Sequence, residues 1–337
     1  MMQRMKRTIL ELAEPIVTTY TQHAHLLSIL GVHEATHPWI YSNYIHVFSN
    51  EKLSEYSWID FYFPMPYELR PVDNCKFLIT QKYLRSVVND NLMPFMDFIK
   101  YAITQGFYVH AMLDYFHIPN STDFEKQHRI HDTLIYGYDT NQEIIYGRDF
   151  LVNRKYSKIE IPFNKIELAF NDYKLAWNQD FLKGVIYLYS INDKCDYEFS
   201  VKNIFESIKT YLSASRLEYW QVYNQANAEN IVCGMAIYSS LITYLFDKPD
   251  YLNILPFHLL CDHKKMMTQR FRFLSELGYV DKKHLNQLEE IENIAGLSLR
   301  LLLKYVASLK NSILNDVVDK IKLIEDMEYE LLSKVIK

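Results

Sequence analysis

His131-Asp132-Thr133-Leu134-Ile135-Tyr136-Gly137-Tyr138-Asp139, followed ten residues on by Asp149-Phe150, decides the reading of this chain. The β-branched and aromatic residues of 129–138 predict one strand, and residues 143–150 predict a second. Asp139-Thr140-Asn141-Gln142 between them reads as a tight turn, so the two strands should form a hairpin. Antiparallel pairing would then set His131 and Asp149 side by side at one end. A carboxylate in that place accepts an imidazole N–H, fixes the tautomer and stabilises the imidazolium. The opposite ring nitrogen is left to deprotonate a nucleophile. A histidine at a strand end is more often structural than catalytic, and the acid across the hairpin is what singles this one out.

Working outward, residues 106–110 lead into another strand, with further candidates at 158–163 and 184–191. A helix is expected over 165–177. Upstream, 22–30 reads as a helix closed by Gly31, and 91–105 as one closed by Gly106, with Pro94 in its first turn. After about Ser200 the strand signals vanish. Helical runs cover 203–212, 230–246, 258–277 and 285–309. Leu314, Val317, Ile321, Ile324 and Leu331 then form the apolar stripe of an amphipathic helix. The expected fold class is α+β, with a core over 1–195 and an all-helical region over 196–337.

Composition narrows the function classes. The chain has 337 residues, 15% of them aromatic, with 8 Gly and 10 Pro, which leaves little room for flexible linkers. A net charge of -5 gives no sign of nucleic-acid binding. The N-terminal residues mix charges with apolar groups, unlike a signal peptide, and the apolar run 231–246 is short for a bilayer crossing. Cys75, Cys195, Cys233 and Cys261 lie far apart, which suggests neither a disulfide framework nor a zinc knuckle. A soluble, cytoplasmic protein without membrane or nucleic-acid partners is expected.

The motif residues resemble a papain-like group that contains the N-terminal domain of butirosin biosynthesis protein H. The amide-forming enzyme of closthioamide biosynthesis is similar, as are bacteriocin-processing peptidase domains in outline. The group's pattern is a helix-borne H-C-x motif, then an H-[DF]-x-[LV]-[IV]-x-G-Y-D strand, then an Asp on the next strand. Here the last two stand as 131–139 and Asp149, and the resemblance covers roughly residues 15–195. It implies a papain-like core, an N-terminal helix packed on an antiparallel sheet, with a Cys-His-Asp type site. It also implies an acyltransferase that forms an amide from a carrier-bound acyl thioester in secondary-metabolite (peptide antibiotic-like) biosynthesis. The partners would be an acyl or peptidyl carrier protein, whose 4'-phosphopantetheine brings the acyl group, and an amine acceptor. No cofactor of the chain's own is implied. The alternatives are a papain-like cysteine peptidase, or an inactive module that binds a carrier or peptide.

Ala24, in Gln22-His23-Ala24-His25, stands where the resemblance implies the nucleophilic cysteine. A methyl group cannot attack a thioester. The residue is either an engineered replacement of cysteine or that of a naturally inactive member, and the retained His131 and Asp149 favour the replacement. Gln22 is a candidate oxyanion donor, alongside a backbone N–H of the helix start. His23 and His25 would flank the site, with packing as the competing role. Cys75 is a rival nucleophile if Asp73-Asn74-Cys75 caps a helix running through Leu84, though a buried cysteine is the simpler description. His33 and His37 have i,i+4 spacing, but few acidic ligands lie near them, and no metal site is expected. The basic stretch 263–272 could dock an acidic carrier or be a solvated helix face. The helical half could equally serve homodimerisation.

Overall fold

The hairpin expected around Asp139 forms part of the larger sheet in the computed structural model, which describes residues 6–54, 58–62, 75–88, 93–152, 154–172, 184–215, 230–247 and 252–336. In chain order the first elements are Arg7–Ile9 (β1), Thr21–Leu30 (α1), His37–Ser42 (α2), Val47–Asn50 (β2), Ile59–Phe61 (β3) and Leu78–Leu84 (β4). Phe95–Thr104 (α3), Tyr108–Asp114 (β5), Ile130–Asp139 (β6), Ile144–Val152 (β7), Lys155–Pro162 (β8), Phe163–Asn171 (α4) and Val185–Ile191 (β9) follow. Val201–Leu212 (α5), Ile231–Cys233 (β10), Ile237–Asp247 (α6), Leu255–Glu276 (α7), Lys283–Ser308 (α8) and Asn311–Val335 (α9) complete the described strands and the α-helices longer than one turn. The class is α+β, with antiparallel strand pairing and a helical second half.

The chain forms two compact units, one of Met1–Glu34 with Leu69–Asp196, the other of Ala35–Glu68 with Tyr197–Lys337. Residues 35–68, which sequence reading placed in the first domain, therefore belong with the helical region. Their strands explain why: β2 pairs with β10 on one side and β3 on the other, a small sheet inside the second unit.

In the first unit a seven-stranded sheet runs β4-β9-β5-β6-β7-β8, with β1 beside the far end of β6. The β6–β7 turn is built locally. Asp139 Oδ1 accepts from the N–H groups of Asn141 and Gln142, and Glu143 takes a positive φ of 54°. A bulge between Ile135 and Gly137 precedes the turn in β6, and Gly137 is needed there. A Cβ at that position would lie 2.8 Å from the Thr8 carbonyl of β1. Helices α3 and α4 bury Phe95, Ile99, Ile103, Ile166 and Phe170 against one sheet face, where Val109, Ala111, Leu113 and Ile135 alternate inward.

Several boundaries differ from expectation for identifiable reasons. Pro94 is the N-cap of α3, not part of its first turn, because the residue ahead of a proline resists the helical region. Gly31 closes α1 with φ -62°, so it is not a left-handed cap. It is small because Ala13 Cβ and the Leu27 carbonyl would each stand 2.8 Å from an added Cβ. The helix expected over 165–177 spans Phe163–Asn171, and 173–183 lie outside the described residues. The expected helix 230–246 opens with β10, a strand that only distant β2 can complete.

In the second unit, His46 is buried, its ring 5.2 Å from that of Tyr62. Burial, helped by the nearby Arg270 guanidinium, pulls its pKa down to about 4. The unfolded chain takes up this proton near pH 6.5 and the folded chain only near 4, so the contribution is complete above 6.5 and fades as pH falls toward 4. Acidification across that window should cost about 3 kcal/mol from this group. Urea unfolding at stepped pH will show it, and His46→Gln should make the decline shallower. An unchanged slope would assign the acid lability elsewhere.

Candidate functional site

Register places the chemistry. β6 pairs with β5 through Leu113↔His131 and with β7 through Leu134↔Arg148, so Thr133 faces Asp149 and His131 sits one step along on the same sheet face. His131 Nδ1 lies 2.9 Å from Asp149 Oδ1. The second carboxylate oxygen accepts from Thr133 Oγ1 at 2.6 Å, and the Phe150 N–H donates to Oδ1 at 2.6 Å. Tyr115 OH stands 3.2 Å from the same imidazole nitrogen. The Asp149 side chain is fully buried while that of His131 is 30% exposed, so the imidazole is what the pair presents outward. Burial works against charge on His131, but the Asp149 hydrogen bond and charge outweigh it, with help from Asp132, and raise its pKa to about 9. Tyr115 is pushed far above the phenol range by burial and the Asp149 charge, so its hydroxyl keeps its proton.

Helix α1 meets the sheet from the other face. Strand side chains alternate, so Asp132 and His110 project from the α1 face, where His25 arrives, while Asp132 Oδ1 still comes within 3.5 Å of His131 Nδ1. His25 Nε2 is 3.9 Å from Asp132 Oδ2, and its Nδ1 is 2.8 Å from Tyr156 OH. Ala24 is fully enclosed, and its N–H donates to the Tyr20 carbonyl at 3.0 Å. That amide is committed to the first helical turn and is no oxyanion donor. His23 is likewise fully buried, whereas Gln22 is half-buried on the same turn. The structure therefore joins His131 to Asp149 and sets His25 among a second group, with Asp132 the carboxylate that touches both.

Cys75 does not start a helix. It precedes strand β4, is buried, and burial pushes its thiol up to about 12. Cys261 is raised to about 12 by the same cause. Neither is an activated nucleophile. Cys195 is the partly exposed thiol of the four. Alkylation of the native protein at neutral pH should mark Cys195 first, the others lagging until unfolding, as peptide mass mapping will read out.

The basic stretch 263–272 is not a docking face as a whole. His263, Lys264 and Arg270 are buried. Lys264 Nζ contacts Glu328 Oε2 at 2.6 Å, and Arg270 Nε donates to the Tyr41 carbonyl at 2.7 Å, at the C-terminal end of α2. Charges that a helical wheel reads as solvated are internal here because partners distant in sequence complete them. Among the described residues, His33 and His37 take part in no cluster able to hold a metal, and the one group that could is His25, His110 and Asp132. No helix of the described residues is long and apolar enough to cross a membrane.

Sequence reading missed Tyr115, Thr133, His110 and Tyr156. Thr133 was findable, since it lies two positions along the strand from His131. The others depend on which strands become neighbours, and no local pattern carries that. Comparison of the chain with protein-family models and with curated proteins gave no match.

Proposed function

We propose that the first unit is an amide-forming acyl-transfer module in which His131, oriented by Asp149, acts directly on the acceptor. The amine nitrogen attacks the carbonyl of a carrier-bound acyl thioester while its proton passes to His131 Nε2. The C–N bond forms as the C–S bond breaks, and the carrier thiolate leaves to be reprotonated by solvent. No acyl-enzyme is needed, which agrees with a methyl group at Ala24. The observation that carries this reading is the 2.9 Å contact between a partly exposed imidazole and a wholly buried carboxylate. Such a pair fixes Nδ1 inward and aims Nε2 at whatever approaches. The papain-like resemblance of residues 131–149 supplies the substrate class, and a cytoplasmic setting with a carrier protein as partner belongs to the same reading.

General base catalysis of this kind contributes about 10²–10⁴-fold. The chain, offered a pantetheine acyl thioester with a panel of amines, should release amide detectable by mass spectrometry without a protein-bound acyl group. His131→Ala should lower that rate at least about a hundredfold, and Asp149→Asn should lower it with substrate affinity retained. With the imidazolium held to about 9, turnover should climb as pH rises toward that value. Water replacing the amine, with peptide or thioester hydrolysis as product, would move the assignment to the peptidase reading. Carrier binding with no turnover in any version would make this a binding module, and amide formation indifferent to His131→Ala would sink the proposal.

A further inference from the structure

On the sheet face that receives α1, three side chains from three elements converge. His25 comes from α1, His110 from β5 and Asp132 from β6, and one ligand atom from each lies within 4.8 Å of the other two. His110 Nε2 is 3.3 Å and His25 Nε2 is 3.9 Å from Asp132 Oδ2. The two rings are 5.2 Å apart and inclined at 68°. Both turn Nε2 toward the same carboxylate oxygen.

The outer nitrogens are also held. His25 Nδ1 lies 2.8 Å from Tyr156 OH, and His110 Nδ1 lies 3.2 Å from Tyr189 OH. Metal binding requires each Nδ1–H to donate to its tyrosine oxygen, the tautomer that leaves the Nε2 lone pair bare and is typical of metal-bound histidine. Tyr187 and Tyr189 stack against His110 and restrict its ring further. Both histidines are buried, and the Asp132 side chain keeps 17% exposure, which leaves an approach for a small ion. Bond lengths of about 2.0–2.2 Å to nitrogen and oxygen put tetrahedral ligand atoms about 3.4 Å apart. The His110–Asp132 spacing already meets this, and His25 has to move inward by about 1 Å.

We propose that His25, His110 and Asp132 form a binding site for a divalent transition-metal ion, with zinc(II) the best match to two imidazoles and a carboxylate and water as a further ligand. The site opens on the α1 face of the sheet, and its Asp132 also stands 3.5 Å from His131 Nδ1 through Oδ1; the ligand set does not depend on the acyl-transfer reading. Its role is to tie α1 to the centre of the sheet, with an open coordination position toward solvent.

The test uses the whole chain, stripped with chelator and titrated with zinc(II) and separately with cobalt(II). One equivalent should bind, cobalt should give the visible spectrum of a low-coordinate nitrogen–oxygen site, and zinc should displace it mole for mole. Imidazole NMR signals of His25 and His110 should move together. His110→Gln and Asp132→Asn should abolish stoichiometric uptake, and Tyr189→Phe, which removes only a hydroxyl, should weaken it about 10- to 100-fold. Thermal unfolding of the unaltered chain should shift upward with zinc, a gain the ligand variants lack. Failure of the unaltered, folded protein to take up an equivalent would overturn the site. So would perturbation of other histidines instead, or uptake undiminished in both ligand variants.

Discussion

Glu328→Gln is expected to lower the stability of the helical unit by about 3–5 kcal/mol, the range for removing one partner of a buried ion pair. Glu328 is fully buried on α9, and both its oxygens accept from Lys264 Nζ of α7 at 2.6 Å. Tyr211 OH donates to Oε2 at 2.8 Å and Tyr238 OH at 2.7 Å. A glutamine offers one acceptor oxygen to these donors and brings two donors of its own. The polarity of the network runs further. Lys264 Nζ also donates to His263 Nδ1 at 3.0 Å, and His263 Nε2 lies 3.0 Å from the Ile45 carbonyl. An ammonium can only donate and a carbonyl only accept, so His263 is neutral with its proton on Nε2. Burial and the Lys264 charge hold its pKa far below the usual histidine range accordingly. Lys264→Met should cost a similar amount, and Lys264→Met with Glu328→Leu much less than the sum, because an apolar pair leaves no stranded charge. Urea denaturation of the two singles and the double measures the coupling. A single-variant loss under about 1 kcal/mol would mean that water reaches this pair.

Gly234→Ala should be nearly as damaging, at about 3 kcal/mol or more. Gly234 has a φ of +56° and follows β10 directly. A Cβ there would stand 2.2 Å from the Tyr211 carbonyl oxygen and 3.0 Å from its carbonyl carbon. The obstacle is backbone, so no change of rotamer relieves it. Because Tyr211 also donates to Glu328, displacing its main chain should loosen the hydroxyl as well. Gly234→Ala combined with Glu328→Gln should therefore fall short of additivity. Thermal and urea unfolding of the single and combined variants decide this, and full additivity would show that the clash is absorbed without moving Tyr211.

The β6–β7 hairpin was legible because everything that makes it is local: alternation in 130–139, the Asp139 side-chain turn and a four-residue gap. The long helix Asn311–Val335 was legible from its 3.6-residue stripe. Ile231–Cys233 was not, because three apolar residues ahead of a longer apolar run fit helix or strand equally until the partner at Val47–Asn50 is known. The two-unit division failed at 35–68 for the same reason. At the site, the closeness of His131 and Asp149 followed from hairpin register. The sheet face that each strand turns to α1 required knowing which strands neighbour β6, and His110 reaches Asp132 only through that order. Lys264 and Arg270 read as surface charges since neither Glu328 nor the carbonyls at the end of α2 lie near them in sequence.

The interleaving of the two units has a consequence for synthesis on the ribosome. Val47, Phe48, Ile59 and Phe61 emerge early, yet their sheet partner β10 and their packing helix α7 come from the last third of the chain. At about 5–20 residues per second, this apolar segment waits on the order of ten seconds or longer before it can be covered. During that wait residues 69–196 can close on 1–34, leaving 35–68 as an uncovered loop bearing strand edges. Nascent chains of this protein should therefore lean on chaperone holding in that interval, and slowing translation beyond Asp196 should increase aggregation where the usual expectation is relief.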